Sequence, residues 1–343
     1  MSFTRLDPTD FVVSSDSVVA PAWSNGATIL TSFYTASASN TGSYYLDVYN
    51  ADVSAATSSV QFSIAYGHKL GSGSAALNPL VPYTTPTRIT FGEYRNLIYG
   101  DAESAVNFGS GNTSSLDLIA IPVDRNRYKE SLFPGTFNLA LSSSAGKIIL
   151  TDNSNDVTTI TYVDGGRVFD IISGSNGTAA NTALVTGATA KGYTASGSYG
   201  LFLPDMGLIV LNPSALSLPF ANGGVALSLQ TANTNAATSA NQQSIVQLLI
   251  NGASFQLNSQ ETISSDYVFV RIKNAEYNYS TNPSFISGSG TLIYSNFINS
   301  PQTYPTSVGL YNDNNELLAV AKLSKPLTKD FTKEALIRVK LDW

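Results

Sequence analysis

The chain contains one histidine, His68, in the glycine-rich run Gly67-His-Lys-Leu-Gly-Ser-Gly73. A serine–histidine–aspartate triad or a histidine-based metal centre would have to be built on it. Its place directly after an alternating stretch reads instead as the turn that ends a strand. Gly71-Ser-Gly73 has neither the spacing nor the following Lys-Ser/Thr of a phosphate-binding loop. Asp152, Ser154 and Asp156 have the spacing of the first ligands of a calcium loop. That loop wants glycine at its sixth position and glutamate at its twelfth, where this chain has Val157 and Val163. Asp313, Asn315 and Glu316 fail the same test, and both clusters read as hairpin turns. Glycoside cleavage needs only two carboxylates held about 5–10 Å apart, but nothing singles out a pair among 24 acidic residues. Cysteine is absent, which removes disulfides, thiolate catalysis and cysteine-bound zinc. No pattern asks for a cofactor, and no catalytic residue is assigned. The remaining candidate is a run of cations, Lys322, Lys325, Lys329 and Lys333. It reads either as a face that meets an acidic partner or as the solvated edge of a strand, where lysine blocks unwanted pairing.

The elements that would carry these residues are mostly strands. Phe11-Val-Val13, Thr28 to Tyr34, Tyr44 to Tyr49 and the alternating Ser59 to Tyr66 read as four strands before residue 67. Thr90-Phe-Gly-Glu93 has the form of a capping box, with Tyr94, Leu97 and Ile98 on one helical face and Gly100 as the stop. Leu116 to Val123 reads as a core strand, with Pro122 marking its edge or end. Lys147 to Thr151 and Val157 to Val163 are expected to form a hairpin around Asp152 to Asp156. A second helix is expected from Ser239 to Ile250, with Ile245, Leu248 and Leu249 inward and Asn251-Gly252 as its end. Ser307 to Tyr311 and Leu317 to Leu323 flank the turn Asn312-Asp-Asn-Asn-Glu316 and predict another hairpin. Ala335 to Leu341 alternates, with Ala335, Ile337, Val339 and Leu341 on its buried side. Together these give a mainly β fold: antiparallel sandwich or barrel-like modules with one or two short helices.

Composition divides the chain at two points. Between Ser173 and Gln260 the only charged residues are Lys191 and Asp205. Leu201-Phe-Leu203, Leu208 to Leu211 and Val225 to Leu229 are nonetheless strand material. The expected organisation is an N-terminal β domain (1–172), a low-charge Ala/Ser/Thr/Asn/Gly-rich inserted region (173–260) and a C-terminal β segment (261–343) able to pack with the N-terminal domain. The inserted region reads as ordered and protein-facing, with a flexible insertion as the alternative. Charged residues make up 12% of the 343, about half the usual share. Interface cores are depleted in Lys, Glu and Asp, so sparse charge suits surfaces buried against partners. The net charge of −6 argues against nucleic acid as the main partner. The N-terminus shows no signal-peptide pattern, and no apolar run approaches the length that spans a bilayer, so a soluble chain with no membrane partner is expected.

The runs Glu276-Tyr-Asn-Tyr-Ser-Thr-Asn-Pro-Ser-Phe285, Val308-Gly-Leu-Tyr-Asn-Asp313, Leu317-Leu-Ala-Val-Ala-Lys-Leu-Ser-Lys-Pro326 and Val339-Lys-Leu-Asp-Trp343 resemble a family of virion structural proteins. These belong to contractile-tailed, T4-like bacteriophages, and the likeness is nearest to tail or baseplate proteins. It is dense over roughly the last 80 residues and weaker over Tyr44 to Gly135, on Phe62 to Ser74 and Arg95 to Asp101. The resemblance implies a non-enzymatic structural component of the virion, assembled in the host cytoplasm in multiple symmetric copies that touch other tail or baseplate subunits. It carries no catalytic motif. A receptor-binding or fibre-attachment protein and a capsid decoration protein are the alternatives. A tail-associated depolymerase is a third class with less support.

Overall fold

The computed structural model describes residues 4–36, 45–71, 87–109, 114–180, 185–230, 240–280 and 282–342. The fold is mainly β and antiparallel. The chain divides into two compact units: Val18–Glu261, and Met1–Ser17 together with Thr262–Trp343.

The larger unit is built on one sheet curved as a half-barrel. Its order is Ile29–Leu30, Phe255–Gln256, Asn138–Ser143, Gly146–Asp152, Gly166–Ser175, Gly200–Leu203, Leu208–Leu211, Asp117–Pro122, Val60–His68, Tyr45–Tyr49 and Tyr34–Thr35. The central strands are covered on both faces, which explains their unbroken apolar sequences. Ile119, Ile121, Ile209 and Leu211 enter one core, while Leu118, Ala120, Leu208 and Val210 enter the other. That is the two-residue period of a strand, with both sides apolar. On the first side the helix Ala240–Gly252 contributes Ile245, Val246, Leu248 and Leu249. On that side too, Trp23, Phe62, Phe137 and Phe255 pack edge to face, and the Trp23 Nε1–H donates to the Phe255 carbonyl at 2.9 Å. On the second side lies the helix Thr87–Tyr99, with Phe91 and Ile98 buried.

Several expectations need correction. The first helix begins by Thr87 instead of at a Thr90 cap, so Thr90 is a buried helical residue. Its inner face is Thr87, Thr90, Phe91, Arg95 and Ile98, and Leu97 is exposed. The stop is where expected: Gly100 takes φ +66° and its N–H closes on the Asn96 carbonyl at 2.8 Å. Asp152 to Asp156 does not turn a hairpin between neighbouring strands. Gly146–Asp152 pairs with Asn138–Ser143 and Gly166–Ser175, and the short strand Thr161–Val163 pairs with Gly166–Ser175 instead. Pro122 ends a central strand, opposite Leu208. Val225 to Leu229 joins no ladder, and the N–H groups of Val225 and Leu227 both reach the Leu216 carbonyl.

The compositional boundary at residue 172 lies inside the strand Gly166–Ser175. The described parts of 173–260 belong to the same unit as 18–172 and supply two central strands. Asp205, one of the two charges there, is bound by Arg167 through Nε at 2.9 Å and Nη2 at 2.5 Å. Neutral composition in this region therefore accompanies burial within one domain.

In the smaller unit the strand Phe11–Pro21 lies beside Asn258–Ile272, which pairs with Ala335–Asp342 in the register Val268↔Val339. The unit boundaries fall inside the first two of these strands. The hairpin Ser307–Tyr311 with Leu317–Lys322 forms as expected. Its turn is closed by Asn312, whose Oδ1 accepts from the N–H groups of Asn314 and Glu316, with Asn315 at φ +60°. Among the described residues four apolar side chains are buried here: Val268, Ile272, Ile337 and Val339. Half-buried Leu6, Val308, Leu310, Ala321 and Leu323 pack against them. Among the described residues no helix is long and apolar enough to cross a membrane.

Candidate functional site

Three kinds of place could carry a function: the groove that holds the one histidine, the lysine run, and the exposed apolar strands of the smaller unit.

The groove lies at one end of the central strands. Val60–His68 and Asp117–Pro122 pair with His68 opposite Asp117, so Tyr66, His68 and Asp117 share a face. With Ser214, Ser217 and Gln230 they line an open groove of about 690 Å³. The His68 Nδ1 accepts the Leu70 N–H at 3.0 Å. It therefore carries no proton to offer a carboxylate, as the orienting bond of a triad requires. Asp117 accepts from the Ser115 hydroxyl at 2.7 Å and stands at 3.5 Å from the Tyr66 hydroxyl. Burial, reinforced by the Asp117 charge, pushes the Tyr66 phenol well above its ordinary pKa and keeps it neutral. The groove thus offers the Asp117 carboxylate and neutral hydrogen-bonding groups beside leucine side chains.

The Asp152 cluster is committed to the backbone. Its two carboxylate oxygens accept the Gly135 N–H at 3.0 and 2.9 Å, and one also accepts the Ser154 N–H. Burial raises the Asp152 pKa, and these bonds oppose it. Asp170 is similar: burial raises its pKa, while the Tyr193 hydroxyl donates to it at 2.8 Å. Among the described residues no three of His, Asp and Glu gather into a metal-binding group.

The lysine run is not one patch. Lys322 and Lys325 are exposed. Lys333 is exposed but pairs with Asp330 at 3.1 Å. That contact is second to the Thr332 hydroxyl's hydrogen bond in holding the Asp330 carboxyl down at about 2. Lys329 is fully buried, so it is withdrawn from the proposed interface. Its Nζ donates to the Asn274 carbonyl at 2.9 Å, Asn278 Oδ1 at 2.6 Å and the Asp330 carbonyl at 2.9 Å. All three ammonium hydrogens have acceptors, which is how a buried cation becomes tolerable. In the sequence Lys329 looks like any other strand-edge cation, and nothing there separates it from Lys325.

Sequence reasoning passed over the third place. Phe11–Pro21 is exposed along almost its whole length, including Phe11, Val12, Val18, Val19 and, at 74%, Val13. The hairpin packs one side on its unit and exposes Tyr311, Leu317, Val320 and, at 68%, Leu318. Apolar side chains grouped on strands in this way mark surfaces that other protein covers. The doubled valines on either side of Asp16 were the available signal.

No protein-family model, curated protein or solved structure matches the chain.

Proposed function

We propose that the chain is a non-enzymatic structural component of a tailed bacteriophage virion, most nearly of the tail or baseplate, where it joins neighbouring virion proteins. The resemblance of its last 80 or so residues to that family supports the reading. The observation that carries it is the smaller unit, in which four buried apolar side chains stand beside two exposed apolar strand systems. A unit of this size ordinarily encloses more of its apolar surface, so neighbours are the natural cover. The partners are other virion proteins, neither nucleic acid nor membrane. The test is mass spectrometry of purified virions from infected cells. The protein should appear in a fixed ratio to known tail proteins, and particles that lack it would overturn the proposal.

The groove beside Tyr66 favours one alternative, receptor binding or fibre attachment. Ser214, Ser217 and Gln230 near leucine suit a neutral polyhydroxylated ligand. Binding of the purified protein to host surface glycans, lost on Tyr66→Ala, would promote that reading above the structural one.

A further inference from the structure

Two long strands flank Asn258–Ile272 in a four-stranded sheet, which the short Ser131–Leu132 completes, and their outer edges differ. Ala335–Asp342 ends the sheet on one side and exposes Arg338 and Lys340 alternately, the charge pattern that stops an edge from recruiting another strand. Among the described residues Phe11–Pro21 ends it on the other side, and this strand carries no basic residue at all. It is eleven residues long, with apolar side chains exposed on both faces, which is the form of edge that pairs with a further chain.

Its sequence says which chain. Two copies of a strand related by a two-fold axis perpendicular to the sheet pair antiparallel, and facing residue numbers then add to an even number. Centred on Ser15, the register sets Phe11 against Val19, Val12 against Val18, Ser14 against Asp16, and Ser15 against its own copy. Val13 faces Ser17, the one mixed pair within the strand; the other apolar groups meet apolar groups, and the carboxylate meets a hydroxyl. Centred on Asp16, two carboxylates would face one another. Centred on Ser14, Val12 would face Asp16. Of the three, only the Ser15 register sets no carboxylate against a carboxylate or an apolar group within the strand. We propose that Phe11–Pro21 is a homodimer edge, pairing antiparallel with a second copy of this chain about an axis at Ser15. In the closed pair the outward edges formed by Ala335–Asp342 bear Arg338 and Lys340, which disfavours growth beyond two. The inference stands on this strand alone and does not need the virion reading.

The absence of cysteine from the chain makes the register directly testable. Single variants Ser14→Cys, Ser15→Cys and Asp16→Cys of the full-length protein are exposed to mild oxidant and run on a non-reducing gel. Facing Cβ atoms lie about 4.5–5.5 Å apart, so S15C should cross-link to twice the chain mass and S14C and D16C far less. Light scattering over a concentration series should give the dimer mass for the native protein. The double variant Val12→Lys, Val18→Lys should give the single-chain mass, with an unchanged circular dichroism spectrum. A native protein that stays monomeric overturns the proposal. So does cross-linking that peaks at 14 or 16, or is equal at all three positions. Virion mass spectrometry reads the functional proposal separately, so either can fail without the other.

Discussion

Lys329 holds three oxygens in place, the carbonyls of Asn274 and Asp330 and the side chain of Asn278. Lys329→Met keeps the stem and removes the donors, leaving buried acceptors without partners at a cost on the order of 3 kcal/mol. Lys325→Met, at an exposed site, should change stability by less than about 0.5 kcal/mol. Urea unfolding of the two variants measures the difference. Asp170 gives a pH signature. Its folded pKa is raised, by burial first, above the ordinary value of 3.8. Below that ordinary value the group is neutral in both folded and unfolded chains. As pH climbs through the raised folded value, ionisation favours the unfolded chain and stability is lost. Asp170→Asn cannot ionise and keeps an oxygen for the Tyr193 hydroxyl. The melting temperature of the variant minus that of the native protein should therefore grow more positive as pH rises above about 4, and a flat difference would contradict this. Neither residue was legible beforehand, because burial of a lone Lys or Asp is decided by distant segments.

At the scale of elements, local signals were sufficient where one segment determines its own neighbour. The hairpin Ser307–Tyr311 with Leu317–Lys322 follows from an Asn-rich turn between apolar runs, and the end of the first helix follows from Gly100. Signals misled where packing decided. Thr90-Phe-Gly-Glu93 looks like a helix start, yet Phe91 must enter the core, and the helix extends a turn further back to place it there. Arg95 turns inward as well, stacking over Tyr99 at 3.8 Å and donating to the Ser104 carbonyl. The helix lies so close to the strand Val60–His68 that a Cβ on Gly67 would stand 2.6 Å from the Phe91 backbone nitrogen. Backbone cannot swing aside as a side-chain tip can, so Gly67→Ala should cost about 1–3 kcal/mol. Gly288→Ala, with nothing within 4 Å of the added carbon, should be close to neutral. Thermal unfolding of both variants tests the contrast.

Across the whole molecule, the mainly β fold was legible from short apolar runs set between Ser, Asn and Gly turns. The division into units was not. A fall in charge after Ile172 suggested a separate region, whereas the sheet continues through it, since strands buried on both faces need no charged side. Sparse charge thus reports internal burial in the larger unit. In the smaller unit the apolar strands are open, and there the same composition supports cover by neighbours. Hydroxyl-radical footprinting of the purified virion against the free protein tests this most directly. Phe11, Val13, Leu318 and Val320 should be modified in the free chain and shielded in the particle. Equal modification in both states would contradict it.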